Sequence, residues 1–163
     1  MFLQLFIINR SGGLIYNRNL SSAAPNLTTN DSLRLGSTFH GLHAIATQIA
    51  PVLSVGIEKL ETDTFKLQCF QSLTGVKFVV TALPGTTEVD VFLQSCYEIY
   101  SDYVLKVLYI LNISVIYITN YFLFLQNPFY EMEMPIRCEL FNRYMEKLIA
   151  RHSSSAAPKS RKT

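Results

Sequence analysis

A chain of 163 residues with 49% apolar and 16% charged residues suits one domain with a sizeable core, and a formal net charge of +2 is too small for a nucleic-acid footprint. Several of the basic residues also fall between Lys159 and Lys162, where they need no folded partner. Three cysteines, Cys69, Cys96 and Cys138, are an odd number without a CxxC pair, so neither a disulfide framework nor a cysteine zinc site is indicated and a reducing compartment fits best.

The first run, Phe2 to Asn9, is too short to cross a bilayer and lacks the basic flank and small-residue cleavage site of a signal peptide. Its apolar residues are nearly continuous, which predicts a central strand covered on both faces. Arg10-Ser11-Gly12-Gly13 turns the chain, and Leu14-Ile15-Tyr16 returns as a hairpin partner. The paired glycines are followed by neither Lys-Ser/Thr nor a helix, so they read as a turn and not as a phosphate loop. Asn17 to Thr29 is polar and reads as a loop. A helix follows, with Asn30 or Asp31 as its cap, Leu35, Phe39, Leu42, Ala46 and Ile49 as its buried stripe, and Pro51 as its stop. His40 and His43 lie one turn apart without a nearby carboxylate or cysteine in sequence, and read as helix-surface histidines with no metal.

Ile57 to Ala82 reads as a three-strand antiparallel meander. Phe65, Leu67 and Cys69 alternate with polar residues, as do Val76, Phe78 and Val80, so one face is expected to be core. Thr62-Asp63-Thr64 and Ser72-Leu73-Thr74-Gly75 supply the breaks, the second ending in a glycine suited to positive φ. Pro84-Gly85 turns the chain into a second helix capped by Thr86 or Thr87, with Glu88 and Asp90 in its first turn and Phe92, Cys96, Ile99 or Tyr100, and Tyr103 on its buried side. A third helix is marked by Ile136, Leu140, Phe141, Tyr144, Met145, Leu148 and Ile149 at spacings of three and four. Residues 153–163 read as a disordered basic tail.

Two strands, a helix, three strands and then helices is the order of a longin-like domain. The expected fold is α+β: a five-stranded antiparallel sheet with one helix on one face and two on the other. Asn30-Asp31-Ser32-Leu33-Arg34, the run from Gly56 to Phe65, Tyr97 to Tyr103, and Asn127 to Phe141 closely resemble the sybindin (synbindin) family, the fourth-subunit-type components of the TRAPP vesicle-tethering complex. The resemblance covers about Phe2 to Phe141 apart from Val107 to Gln126, and no PDZ-like insertion follows the second strand. It implies a non-catalytic interaction subunit, without cofactor, acting between endoplasmic reticulum and Golgi. Its implied location is cytoplasmic, peripheral at the endoplasmic reticulum and cis-Golgi. Implied partners are other TRAPP subunits, especially a second small longin-like subunit, and a Rab-type small GTPase whose nucleotide release the assembly drives; membrane contact is peripheral. Residues 1–152 are then a single longin-like domain.

Two segments form the expected partner interface: the strand Ile57, Glu58, Lys59, Leu60 and Glu61, which opens the meander at a sheet edge, and Asn127, Pro128, Phe129 and Tyr130 before the third helix. Two other functions compete with this reading. A thiol enzyme would pair a cysteine with His40 or His43, but each cysteine sits in an apolar-periodic segment where a structural thiol is commoner. A single-span membrane protein would use Val107 to Gln126, twenty residues without a charge and long enough to cross a bilayer. In the family pattern, however, Tyr103-Val104-Leu105-Lys106 leads directly into Asn127, so a span there would separate the third helix from its own sheet. A segment that starts with a GT-initial valine codon, ends on a glutamine whose codon can close in AG, and is rich in Ile, Tyr, Asn and Phe reads instead as an intron translated in frame. The Asn-x-Ser/Thr sites at Asn19, Asn26, Asn30 and Asn112 read as coincidence.

Overall fold

The computed structural model describes residues 1–105 and 133–155, and the expectations for Val107–Gln126, for Asn127–Tyr130 and for residues 156–163 lie outside them. Among the described residues five antiparallel strands form one sheet in the order β2-β1-β5-β4-β3. They are β1 (Phe2–Ile8), β2 (Leu14–Asn19), β3 (Lys59–Glu61), β4 (Lys66–Gln71) and β5 (Lys77–Ala82). As its unbroken apolar run predicts, β1 is central, with Leu5, Phe6, Ile7 and Ile8 all buried. It pairs with β2 through Asn9, whose side-chain oxygen accepts from the Gly13 amide at 2.6 Å and from the Ser11 hydroxyl at 2.9 Å in the turn.

Two strands of the meander, β4 and β5, are covered on both faces, not one, while β3 is exposed. Leu67 and Cys69 pack with Phe6, Ile8, Phe39 and Val79 beneath helix α1 (Thr29–Ile49). Val76, Phe78 and Val80 pack with Leu5 and Ile7 beneath α2 (Val89–Tyr100) and α3 (Glu139–Ser155). The reason is position: β5 lies in the middle of the sheet, between β1 and β4, so both sides of its pleat meet a helical layer. This is the longin-like arrangement, with one helix on one face and two on the other.

Each of the first two helices departs from its expected cap. Thr28, and neither Asn30 nor Asp31, caps α1: its hydroxyl accepts from the Asp31 amide at 3.2 Å and donates to the Asp31 carboxylate at 2.6 Å, a reciprocal pair three residues apart. Glu88 precedes α2 in the left-handed region at φ 60° and makes no side-chain cap. Thr86 is occupied elsewhere, because its hydroxyl donates to the Leu83 carbonyl at 2.6 Å and accepts from the Met1 amine at 2.8 Å.

The buried face of α2 is Val89, Phe92, Leu93, Cys96 and Tyr100, after which one π turn at Ser101–Leu105 buries Val104 and sets Tyr103 against Tyr144 with ring centroids 4.3 Å apart. In α3, Phe141, Met145 and Leu148 are the buried positions, and Phe141 meets Tyr16 edge-on at 5.1 Å. The Arg18–Glu146 ion pair at 3.0 Å fastens α3 to β2. Replacing Phe141 by Ala should lower unfolding free energy by about 3–5 kcal/mol, whereas Thr28→Ala should cost about 1 kcal/mol. Urea denaturation of the two variants checks both values.

Candidate docking surface

The two edges of the sheet differ. On β2 the Ile15 carbonyl already accepts the Ile136 amide at 2.8 Å, so the chain covers its own edge there. Among the described residues β3 pairs with β4 alone, in the register Lys59↔Gln68, Leu60↔Leu67 and Glu61↔Lys66. The Cys69 amide reaches the Glu58 carbonyl at 2.8 Å and the Thr62 amide reaches the Phe65 carbonyl at 2.9 Å, so the even-numbered residues Glu58, Leu60 and Thr62 turn towards β4. Alternation then points the backbone N–H and C=O of Lys59 and Glu61 outward.

The strand is shorter at its start than expected. Ile57 and Glu58 precede it, although the Glu58 carbonyl still accepts the Cys69 amide; the Ile57 amide, on the side away from β4, donates to the Nδ1 atom of His43 at 3.2 Å. Lys59 and Glu61 share one side of the strand and form an ion pair at 2.7 Å, and the Lys59 ammonium holds the Glu61 carboxyl below its ordinary value. Both side chains are about half exposed. Charge on a very short strand is a common guard against indiscriminate edge pairing. Leu60 is exposed on the α1 side of the sheet, opposite Leu67.

α1 bears out part of the expected stripe, since Phe39 is buried and Leu35 packs against the same cluster. Its buried positions are Ser32, Gly36, Phe39 and His43. Of the expected core residues, Leu42 and Ile49 are 53% and 76% exposed, and Ile45 beside them is 54% exposed. The face against the sheet is set by small residues: a Cβ at Gly36 would stand 3.4 Å from the Leu14 side chain, so the helix lies close and its larger residues point away. Beyond α1 the chain continues with exposed Val52, Leu53 and Val55. Exposed apolar side chains thus lie on α1 and on the loop after it, and outward backbone groups lie on β3.

The histidines are not both on the surface. His43 is buried, and its Nε2 lies 2.8 Å from the Gln71 side-chain oxygen. His40 is half-buried against Gly12, and its Nδ1 has no partner among the described residues.

A groove of about 950 Å³ runs between β4 and α2, with Ile57, Leu73 and Val91 as apolar lining and Glu58, Asp90 and Glu98 as its acidic side chains. Cys69 and His43 also line it, but they do not make a catalytic pair. Burial pushes the Cys69 thiol up to about 12, and both imidazole nitrogens of His43 are already engaged. Cys96 is raised further by burial, and all three thiols are buried and free. Among the described residues no group of three or more His, Cys, Asp or Glu side chains could hold a metal ion. Among the described residues Cys69 and His43 therefore form no nucleophile and base pair. The other expected interface residues, Asn127, Pro128, Phe129 and Tyr130, lie outside the described residues.

Comparison with known proteins agrees with this architecture. The family model described as the sybindin-like family matches residues 2–117 and 109–152. The chain belongs to the sybindin-like family. Among sybindin-like relatives, trafficking protein particle complex subunit 4 of Dictyostelium discoideum is 44% identical over 147 residues, 89% of this chain and 93% of that protein. The subunit 4 of Bos taurus is 47% identical over 132 residues, 80% of this chain and 51% of that protein, so this chain spans about half the length of that relative. Subunit 1 of the same complex in Dictyostelium discoideum is 23% identical over 158 residues, 91% of this chain and 96% of that protein.

With burial holding the Cys69 and Cys96 thiols protonated at neutral pH, the folded sybindin-like chain should take up no alkylating label at either residue at about pH 8 and should label at both once unfolded. Mass spectrometry after iodoacetamide treatment, with and without urea, reads the difference.

Proposed function

We propose that this chain is a non-catalytic structural subunit of a trafficking protein particle complex. It docks a second small longin-like subunit through the β3 edge and the solvent side of α1. The observation that carries the reading is the apolar band of Leu42, Ile45 and Ile49, continued by Val52, Leu53 and Val55 and flanked by the outward amides of Lys59 and Glu61. Water contact at so many large apolar side chains is unfavourable, and a partner surface removes it. The names of the relatives support the reading, since subunit 4 and subunit 1 of one complex both resemble this chain. Two similar folds meeting edge to edge satisfy the outward backbone groups of both.

The finer role is stimulation of nucleotide release from a Rab-type small GTPase in endoplasmic-reticulum-to-Golgi transport, with the paired subunits contributing the receiving surface. Exchange of this kind requires no covalent chemistry: an assembly that binds the nucleotide-free GTPase more tightly than the loaded form displaces the nucleotide by that difference in affinity. The chain acts from the cytoplasm, peripherally at endoplasmic reticulum and cis-Golgi membranes. No helix of the described residues is long and apolar enough to cross a membrane.

We also propose that Val107–Gln126 is an addition to a single domain spanning 1–152 and originates as a retained intron. The family model supports this reading by matching in two stretches that overlap at 109–117, inside the added segment. A chain lacking Val107–Gln126 should keep a cooperative thermal transition and gain solubility. Loss of the transition, or transcripts that all retain the corresponding nucleotides, would count against the intron and favour a membrane-spanning role for the segment.

The docking surface is tested with two substitutions and a co-purified subunit-1-type partner. Lys59→Pro removes an outward amide without touching the β3–β4 bonds, and Ile45→Asp places a charge in the apolar band. Each should change the unfolding free energy measured in urea by no more than about 0.5 kcal/mol, as is typical of surface changes, while weakening partner affinity at least about tenfold. Unchanged affinity in both variants refutes the docking surface.

A further inference from the structure

One imidazole joins α1 to the approach of β3. His43 is buried, its Nδ1 accepts the Ile57 amide at 3.2 Å, and its Nε2 is 2.8 Å from the Gln71 side-chain oxygen. The Ile57 amide can only donate, so Nδ1 carries no proton and Nε2 donates to Gln71. Gly56 lies against the ring at φ +102°, where a Cβ would stand 2.7–2.8 Å from Nε2, Cδ2 and Cε1. Side chains rarely adopt that φ in any case. The ring, the glycine beside it and the amide after it form a close-fitting latch. The residues it holds in place are the loop that exposes Val52, Leu53 and Val55 and the chain entering β3 at Lys59.

We propose that His43 is a positioning residue, fixing the 50–57 loop and the β3 edge in the geometry a partner recognises, and that protonation of its ring releases the loop and weakens docking. The inference rests on the docking surface proposed above. A second ring proton must go to Nδ1, where it faces the Ile57 N–H. Two donors then oppose each other and the hydrogen bond is lost. The neutral ring belongs to the docked geometry, so binding is stronger while the ring is neutral than once it carries a second proton. The groups around this corner are His40 on α1, Lys77 on β5, Cys69 on β4 and Glu58 at the approach to β3. Burial holds the Cys69 thiol neutral, which leaves His40 as the other group able to change charge in the same range.

Two readouts test the latch. Calorimetric affinity for the purified subunit-1-type partner, followed from about pH 8 to about pH 5, should fall roughly fivefold in the wild-type chain, the loss of one hydrogen bond. His43→Asn, whose side-chain oxygen takes the place of Nδ1 and does not titrate, should flatten the profile. His40→Gln should leave it in place, and Gly56→Ala should weaken binding at every pH. On the free chain, the hydrogen-exchange protection factor of the Ile57 amide should drop with acid in the wild type and stay level in His43→Asn. A profile that survives in His43→Asn, or that vanishes in His40→Gln, overturns the proposal. If the wild-type chain binds the partner at no pH, the docking surface fails, and the Ile57 protection factor still decides whether the latch exists.

Discussion

Burial of β1 on both faces is the constraint on which the rest depends. Leu5 and Ile7 enter one core while Phe6 and Ile8 enter the other, so a single strand couples the α2–α3 layer to the α1 layer. Its pairing with β5, Leu5 opposite Val80 and Ile7 opposite Phe78, then fixes the register of the meander. A slip of one residue would exchange the contents of the two cores. β2 and β3 are left at the margins, the first covered by Ile136 and the second without a further strand among the described residues.

The two cores are unequal, and the difference bears on function. On the α2–α3 side aromatic rings interlock: Phe2 stacks on Phe92 with centroids 4.4 Å apart, and Phe78 meets Tyr100 edge-on at 5.4 Å. Such pairs add to the stabilisation that burial of area supplies. On the α1 side the buried cluster is small, and the helix approaches through Ser32 and Gly36 as much as through Phe39. Large apolar side chains are therefore left over on α1, and they form the surface to which a binding role is assigned.

Strand positions were legible in the sequence because period-2 alternation and unbroken apolar runs follow directly from what lies on each side of a pleat. Turns were legible too, since Gly75 does take positive φ, at 88°. The face of α1 was only partly so. Phe39 is buried and Leu35 packs against the same cluster, as expected, but Leu42 and Ile49 face water because the helix also meets the sheet through Ser32, Gly36 and His43. Helix caps were missed for a related reason, because a capping hydroxyl is identified by its partner. Thr28 finds Asp31 in its own turn, while Thr86 is claimed by Met1 and Leu83. The role of His43 left no sequence signal, since Ile57 and Gln71 become its neighbours only once the sheet has formed.

α1 has 21 residues, of which four, Ser32, Gly36, Phe39 and His43, are buried. A helix so lightly held belongs to the low end of the local-stability range, where amide groups open well before the whole domain unfolds. Occupation of its outer face by a partner stabilises the folded chain by mass action, about 2.7 kcal/mol when the partner is present at a hundred times its dissociation constant. An orphan copy has no such support and exposes the apolar band that quality-control chaperones and proteases recognise. The abundance of the chain in a cell would then follow the supply of its partner, and stoichiometry would be enforced by turnover of the unassembled excess.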